Sequence, residues 1–145
     1  MANAIWPHLT VHNGKAAIEF YQKGLGAVTD RVVPAGDKIM HASLKVGDAV
    51  LMLNDDFPEH CGGVSRAPKT TGAVSPVTLH LNVPDCDAAF NKMVSAGATA
   101  SMPPWDAFWG DRYAQVTDPF GHHWSFSNPL PADRAKKAAE SFKGM

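Results

Sequence analysis

His8-Leu9-Thr10-Val11, followed by Ala16-Ala17-Ile18, and His80-Leu81-Asn82-Val83, followed by Ala88-Ala89-Phe90, are two versions of one phrase set 72 residues apart. A repeat of this length makes each half one supersecondary unit, so matching positions must occupy matching places. The chain reads as a tandem pair. Trp6 to Val11 alternates like a strand, and Asn13-Gly14 breaks it before Ala17, Phe20, Tyr21 and Leu25 recur at helical spacing. Gly24 and Gly26 supply the stop. Strands are expected over 27–33 and 38–46, separated by the turn Pro34-Ala35-Gly36-Asp37, and Gly47-Asp48 turns the chain into Ala49-Val50-Leu51-Met52-Leu53.

The second half follows the same order: strand 77–83, helix 86–95 stopped by Gly97, strand 98–102, strand 111–117, the turn Asp118-Pro119-Phe120-Gly121, and strand 122–127. One added residue near the end sets Leu51-Met52-Leu53 against Trp124-Ser125-Phe126. The boundaries expected within one domain, 1–145, are a first module over about 5–54, a connector 55–76, a second module over about 77–128 and a terminal helix over about 132–143. The connector carries Pro58, Gly62, Gly63, Pro68, Gly72 and Pro76 without periodicity, and its length suggests a mobile segment or a lid over a site.

Composition narrows the function classes. The chain has 145 residues, 13 basic against 14 acidic, a formal charge of −1. No basic surplus drives binding to nucleic acid. No apolar run approaches the roughly 18 residues of a membrane span, and Met1 to Pro7 has neither a positive leader nor an apolar core, so a cytoplasmic protein is expected. Cys61 and Cys86 have no CxxC spacing and are expected as reduced thiols.

Two βαβββ modules ending in Asp118-Pro119-Phe120-Gly121-His122 and Trp124 resemble the vicinal oxygen chelate superfamily of glyoxalases, bleomycin and fosfomycin resistance proteins and extradiol dioxygenases. Ala17-Ile18-Glu19-Phe20-Tyr21, Ala96-Gly97-Ala98 and Trp109-Gly110-Asp111-Arg112 carry a narrower resemblance to its PhnB-like branch. The resemblance covers roughly residues 5–128. It implies an α+β fold in which the tandem modules form a cupped mixed sheet with helices outside. Alternation then turns Leu9, Val11, Leu81 and Val83 toward the helices and Trp6, His8, Thr10, Thr78, His80 and Asn82 into the cup. Met52, His123 and Ser125 join the cup face from the closing strands.

Metal-dependent members of the superfamily hold their ion with His, Glu or Gln on the first and last strand of each module. By the resemblance those positions fall here on Trp6, Met52, Thr78 and Ser125. Indole, thioether and hydroxyl do not make the imidazole and carboxylate set that a catalytic divalent ion needs. No metal and no cofactor is therefore expected. His8, His80 and His123 each lie two residues from a vacated position, but His123 precedes its position and the others follow theirs. On parallel strands those displacements run opposite ways, about 7 Å each, and the three imidazoles are not expected to converge. His8 and His80 stay open as two histidines hydrogen-bonded in a polar cavity, a substrate-contacting or acid/base pair, or a non-standard metal site.

Trp105 and Trp109, with Phe108, sit in a loop stiffened by Pro103 and Pro104 and offer flat surfaces to a planar or aromatic ligand, or to packing. Arg112 could clamp an anion, or pair with a neighbour such as Asp111 or Asp118. Two classes of function remain. One is a metal-free small-molecule-binding protein, as the resemblance to bleomycin-resistance members implies. The other is a metal-dependent glyoxalase- or dioxygenase-type enzyme, or a metal-free enzyme using His8 and His80. A homodimer is implied by the family resemblance and by the aromatic loop.

Overall fold

Pro7 has no amide hydrogen to give a ladder, and the first strand begins one residue after it. In the computed structural model, which describes residues 2–143, β1 (His8–Val11) leads into α1 (Gly14–Leu25). Asn13 caps α1 by accepting the amide hydrogen of Ala16, and Gly26, in the left-handed conformation at φ 66°, closes it. Strands β2 (Val28–Ala35), β3 (Lys38–Val46) and β4 (Ala49–Asp55) complete the first sheet in the order β1-β4-β3-β2, with β1 parallel to β4 and the rest antiparallel. Alternate residues Ala42, Leu44, Leu51 and Leu53 are buried, as are Ala17, Phe20 and Tyr21 of the helix. Each large apolar side chain so enclosed contributes roughly 1.5–3 kcal/mol.

The second module repeats the plan. β5 (Thr78–Asn82), α3 (Cys86–Ala96), β6 (Thr99–Asp106), β7 (Asp111–Thr117) and β8 (His123–Pro129) form a sheet of order β5-β8-β7-β6. Asp85 caps α3 as Asn13 caps α1, at the same 72-residue offset. The expected one-residue insertion is present in the register: His8 faces Met52 on β4, and His80 faces Ser125 on β8. The terminal helix α4 (Ala132–Lys143) is tied to β6 through Arg134 and Asp106, with the shorter contact at 2.6 Å, and Phe142 stacks on Phe108 at 3.9 Å between centroids.

The chain divides into two compact units. Phe120–His122, in the turn between β7 and β8, packs as part of the first unit. Phe120 is buried within 5.4 to 6.1 Å of the rings of His12, Phe20 and Tyr21, and His122 Nε2 bonds the Thr10 carbonyl at 2.8 Å. An apolar ring at the tip of a turn gains more from that pocket than from water.

The connector differs from a free lid. It holds a 3₁₀ turn (Pro58–His60) and a short helix α2 (Pro68–Thr71), and it is pinned by Asp56. The Asp56 carboxylate accepts the amide hydrogens of Arg66 and Ala67 at 3.1 to 3.2 Å, and Ala67 is fully buried. Its neighbour Asp55, also buried, accepts from the amides of Gly14 at 2.9 Å and Ile39 at 2.7 Å, locking the start of α1 to β3. Among the described residues no helix is long and apolar enough to cross a membrane.

Pro103-Pro104-Trp105, expected as loop, is part of β6. Register shifts between Ala100 and Met102 and between Met102 and Trp105 let the two prolines sit on this edge strand without demanding ladder hydrogens.

Candidate functional site

Along β7, Ala114 and Val116 are buried while Tyr113, Gln115 and Thr117 are half-buried on the opposite face. The register across β6, β7, β8 and β5 extends that opposite face into three rungs: Thr99–Thr117–His123–Thr78, Met102–Gln115–Ser125–His80, and Trp105–Tyr113–Ser127–Asn82. Polar groups fill the β8 and β5 end of each rung, and aromatic or thioether groups fill the β6 end of the lower two. His80 sits at the centre of the polar end. Its Nδ1 lies 2.7 Å from Ser125 Oγ and its Nε2 lies 2.9 Å from Ser127 Oγ, while its ring stacks on Tyr113 at 6.1 Å and 14°. Gln115 donates to the Tyr113 hydroxyl at 2.9 Å, and His123 Nδ1 meets Thr117 Oγ1 at 2.9 Å.

The aromatic end is a stepped wall. Trp109 stands edge-on to Tyr113 at 5.3 Å, and Trp105 stands edge-on to Trp109 at 5.6 Å. Edge-to-face contacts of this kind hold rings without covering all their faces, and Trp109 stays 49% exposed. Hydrogen bonds from Trp105 Nε1 to Met102 Sδ and from Trp109 Nε1 to Asp111 at 3.1 Å set both indoles.

The corresponding face of the first unit carries the rung His8–Met52–Ser43–Arg31 and the pair Thr10–Asn54. His8 Nε2 meets Asn54 Oδ1, and the rings of His8 and His41 meet edge-on at 6.1 Å. Trp6 precedes β1 and is 52% exposed. His8 and His80 thus have different settings within their own units, an amide and a thioether for one, two hydroxyls for the other.

Arg112 does not belong with these residues. It has the parity of Ala114 and Val116 and so lies on the helix side, where Nε and Nη2 bind both oxygens of Asp87 at 3.0 and 2.9 Å and Nη1 binds Asp106 at 3.0 Å. The ion-pair alternative is what the geometry shows, with Asp87 and Asp106 in place of the neighbours Asp111 and Asp118. Asp118 instead accepts from Trp124 Nε1 at 2.9 Å. The guanidinium hydrogen bonds hold the Asp87 carboxyl below the usual carboxylate range, and Arg134 followed by Arg112 does the same for Asp106. Beneath them, burial pushes the Cys86 thiol up to about 11, which keeps it protonated and unreactive at neutral pH.

The four inherited ligand positions can be tested as a donor set. Trp6 offers no lone pair to a cation, Met52 a soft thioether, and Thr78 and Ser125 neutral hydroxyls. Ser125 Oγ is already engaged by His80, and no group of three or more His, Cys, Asp or Glu among the described residues could hold an ion. This set does not fit a hard or borderline divalent cation. Tyr113, Gln115 and Ser127 were missed from sequence, although strict alternation along 113–117 and 123–127 carries the signal that finds them.

Comparison with known proteins agrees with this architecture. Residues 6–126 match the family model described as the Glyoxalase/Bleomycin resistance protein/Dioxygenase superfamily. The chain is 48% identical over 128 residues to the uncharacterised protein Mb0911c of Mycobacterium bovis, covering 88% of this chain and 84% of that one. It is equally similar to the uncharacterised protein Rv0887c of Mycobacterium tuberculosis, covering 75% of that protein. Among solved structures it resembles TioX from Micromonospora sp. ML1, with a TM-score of 0.69, 27% identity and coverage of 89% and 100% of the two chains. Protein PA1353 from Pseudomonas aeruginosa follows, with a TM-score of 0.66, 28% identity and coverage of 86% and 96%.

Proposed function

From the premise that the chain belongs to the glyoxalase/bleomycin resistance protein/dioxygenase superfamily, yet lacks a ligand set for a divalent ion, we propose that it is a metal-free small-molecule-binding protein. The observation that carries this reading is the sheet face of the second unit, where a bank of hydroxyl, amide and imidazole groups ends in a wall of exposed rings. Such a surface suits a planar aromatic molecule with a hydrogen-bonding edge: the rings take its face and His80, Ser125, Ser127 and Gln115 take its edge. The narrower PhnB-like placement is part of this reading and rests on Ala17 to Tyr21 and Trp109 to Arg112. A reducing, cytoplasmic setting accords with the free thiols of Cys61 and Cys86.

The test is titration of tryptophan fluorescence with a panel of planar heteroaromatic compounds, repeated after dialysis against EDTA. Saturable binding unchanged by EDTA is expected, and Trp109→Ala should weaken it about tenfold, the order of one aromatic contact. Binding that vanishes on EDTA treatment and returns with zinc, nickel, manganese or iron would replace this reading with the metal-dependent one.

We also propose a homodimer. Phe108 and Phe142 stack on each other yet stay 39% and 47% exposed beside Trp105 and Trp109, an apolar patch of the kind that monomers seldom leave open. Sedimentation velocity at micromolar concentration is expected to give a dimer, and a monomer at that concentration would remove this part of the proposal.

A further inference from the structure

The two modules diverge most usefully at one pair of matching positions. In the first unit His8 faces Met52, and its Nε2 meets Asn54. In the second, the corresponding residues are Ser125 and Ser127, and both ring nitrogens of His80 meet hydroxyls. Only the second copy therefore pairs its histidine with an oxygen nucleophile.

One tautomer of His80 makes this arrangement productive. Ser127 Oγ donates to Asn82 Oδ1 at 3.5 Å, an atom that can only accept. In the tautomer that carries its hydrogen on Nε2, His80 donates to Ser127 Oγ. That tautomer has its lone pair on Nδ1, toward the Ser125 hydroxyl 2.7 Å away. A hydroxyl hydrogen-bonded to an imidazole whose other nitrogen is oriented by a third group is the arrangement that activates an oxygen nucleophile. Stacking on Tyr113 holds the ring in plane. Gln115 is the cross-strand partner of Ser125 and donates to the Tyr113 hydroxyl at 2.9 Å.

We propose that Ser125, with His80 as its general base, accepts small acyl groups from esters of aromatic alcohols. Ser125 is 2% exposed, so the side chains over it must move aside to admit an ester and the acyl group proposed is a short one such as acetyl, while the wall of Tyr113, Trp109 and Trp105 receives the aromatic leaving group. The second half of this statement rests on the reading that the face binds planar aromatics. Ser125 Oγ attacks the ester carbonyl as its proton passes to His80 Nδ1. The carbonyl–oxygen bond to the aryl group breaks, and the aryl oxygen leaves with that proton. Water then attacks the acyl-serine, giving a proton to Nδ1. The bond to Oγ breaks, Oγ regains the proton, and the short carboxylic acid departs.

The probe is 4-nitrophenyl acetate, with the chain quenched in acid and the acetyl group located by peptide mass mapping. One acetyl on Ser125 is expected, absent in Ser125→Ala, retained in Ser125→Cys and in the exposed Ser95→Ala, and formed about a hundredfold more slowly in His80→Gln, the order of a lost general base. Acetyl found only on lysine, histidine or the N-terminus, or a rate of ester cleavage unchanged in Ser125→Ala, overturns the proposal. Acetanilide, the unreactive amide counterpart of an aryl acetate, separates the two readings. Saturable binding of acetanilide with no acetylation of Ser125 by 4-nitrophenyl acetate removes the nucleophile and leaves ligand binding standing, whereas neither binding of the one nor acetylation by the other removes both.

Discussion

Replacing Asp55 with alanine is expected to cost about 3 kcal/mol, seen as a fall in melting temperature of order 10 °C by circular dichroism. The carboxylate is buried and holds two backbone amides from distant parts of the first unit, Gly14 at the start of α1 and Ile39 in β3. Alanine leaves both donors without their acceptor at a buried position, and it removes a negative charge from a helix N-terminus. The space around Gly14 shows how close the fit is: a Cβ there would stand 2.6 Å from Asp55 Oδ2 and 2.8 Å from Ile39 Cβ. Asp55→Asn keeps one acceptor oxygen and should lose about half as much. A loss under about 1 kcal/mol in Asp55→Ala would show that the two amides find other acceptors.

Gly121→Ala is expected to have an effect of similar size for a different reason. Gly121 has φ +87°, a region that L side chains avoid at roughly 1–2 kcal/mol, and an added Cβ would meet Pro68 Cβ at 2.6 Å. Overpacking against a ring that cannot rotate away adds roughly 1–3 kcal/mol, so a total near 3 kcal/mol should appear in urea denaturation. The Pro68→Gly background separates the two parts. There the clash is gone, and Gly121→Ala should cost only its backbone share. Equal losses in both backgrounds would show that Pro68 already yields.

The Asp-Pro-Phe-Gly turn was legible in sequence as turn chemistry, but not the destination of Phe120. Turn residues specify a local backbone path, whereas the ring of Phe120 finds its place among His12, Phe20 and Tyr21 by packing that no local pattern encodes. The repeat, by contrast, showed which positions of the two modules correspond, because duplication makes the second module inherit the pairing of the first. That is why His8 and His80, aligned by the repeat, stand opposite Met52 and Ser125, which the repeat also aligns. The candidate site was legible only along the opening and closing strands. Applying the same alternation to 111–117 would have exchanged Arg112 for Tyr113 and Gln115, since Arg112 shares the parity of Ala114 and Val116. The partners of Arg112 were out of reach, because Asp87 lies on a helix and meets it only through the packing of α3 on β7. Pro103 and Pro104 suggested a loop because proline lacks a ladder donor, and the bulges that make room for them leave no mark in composition.

Those bulges bear on how the molecule meets its own copies. A sheet edge with free amides and carbonyls is a template for another strand and a route to aggregation. Here β2 carries Pro34 with register breaks at Thr29/Arg31 and Val33/Pro34, and β6 carries Pro103 and Pro104 with two breaks of its own. The opposite edges, β1 and β5, are only four and five residues long. None of the four offers a long, straight run of unpaired backbone, so strand-on-strand growth is disfavoured at each of these edges, and association between copies falls more to side chains.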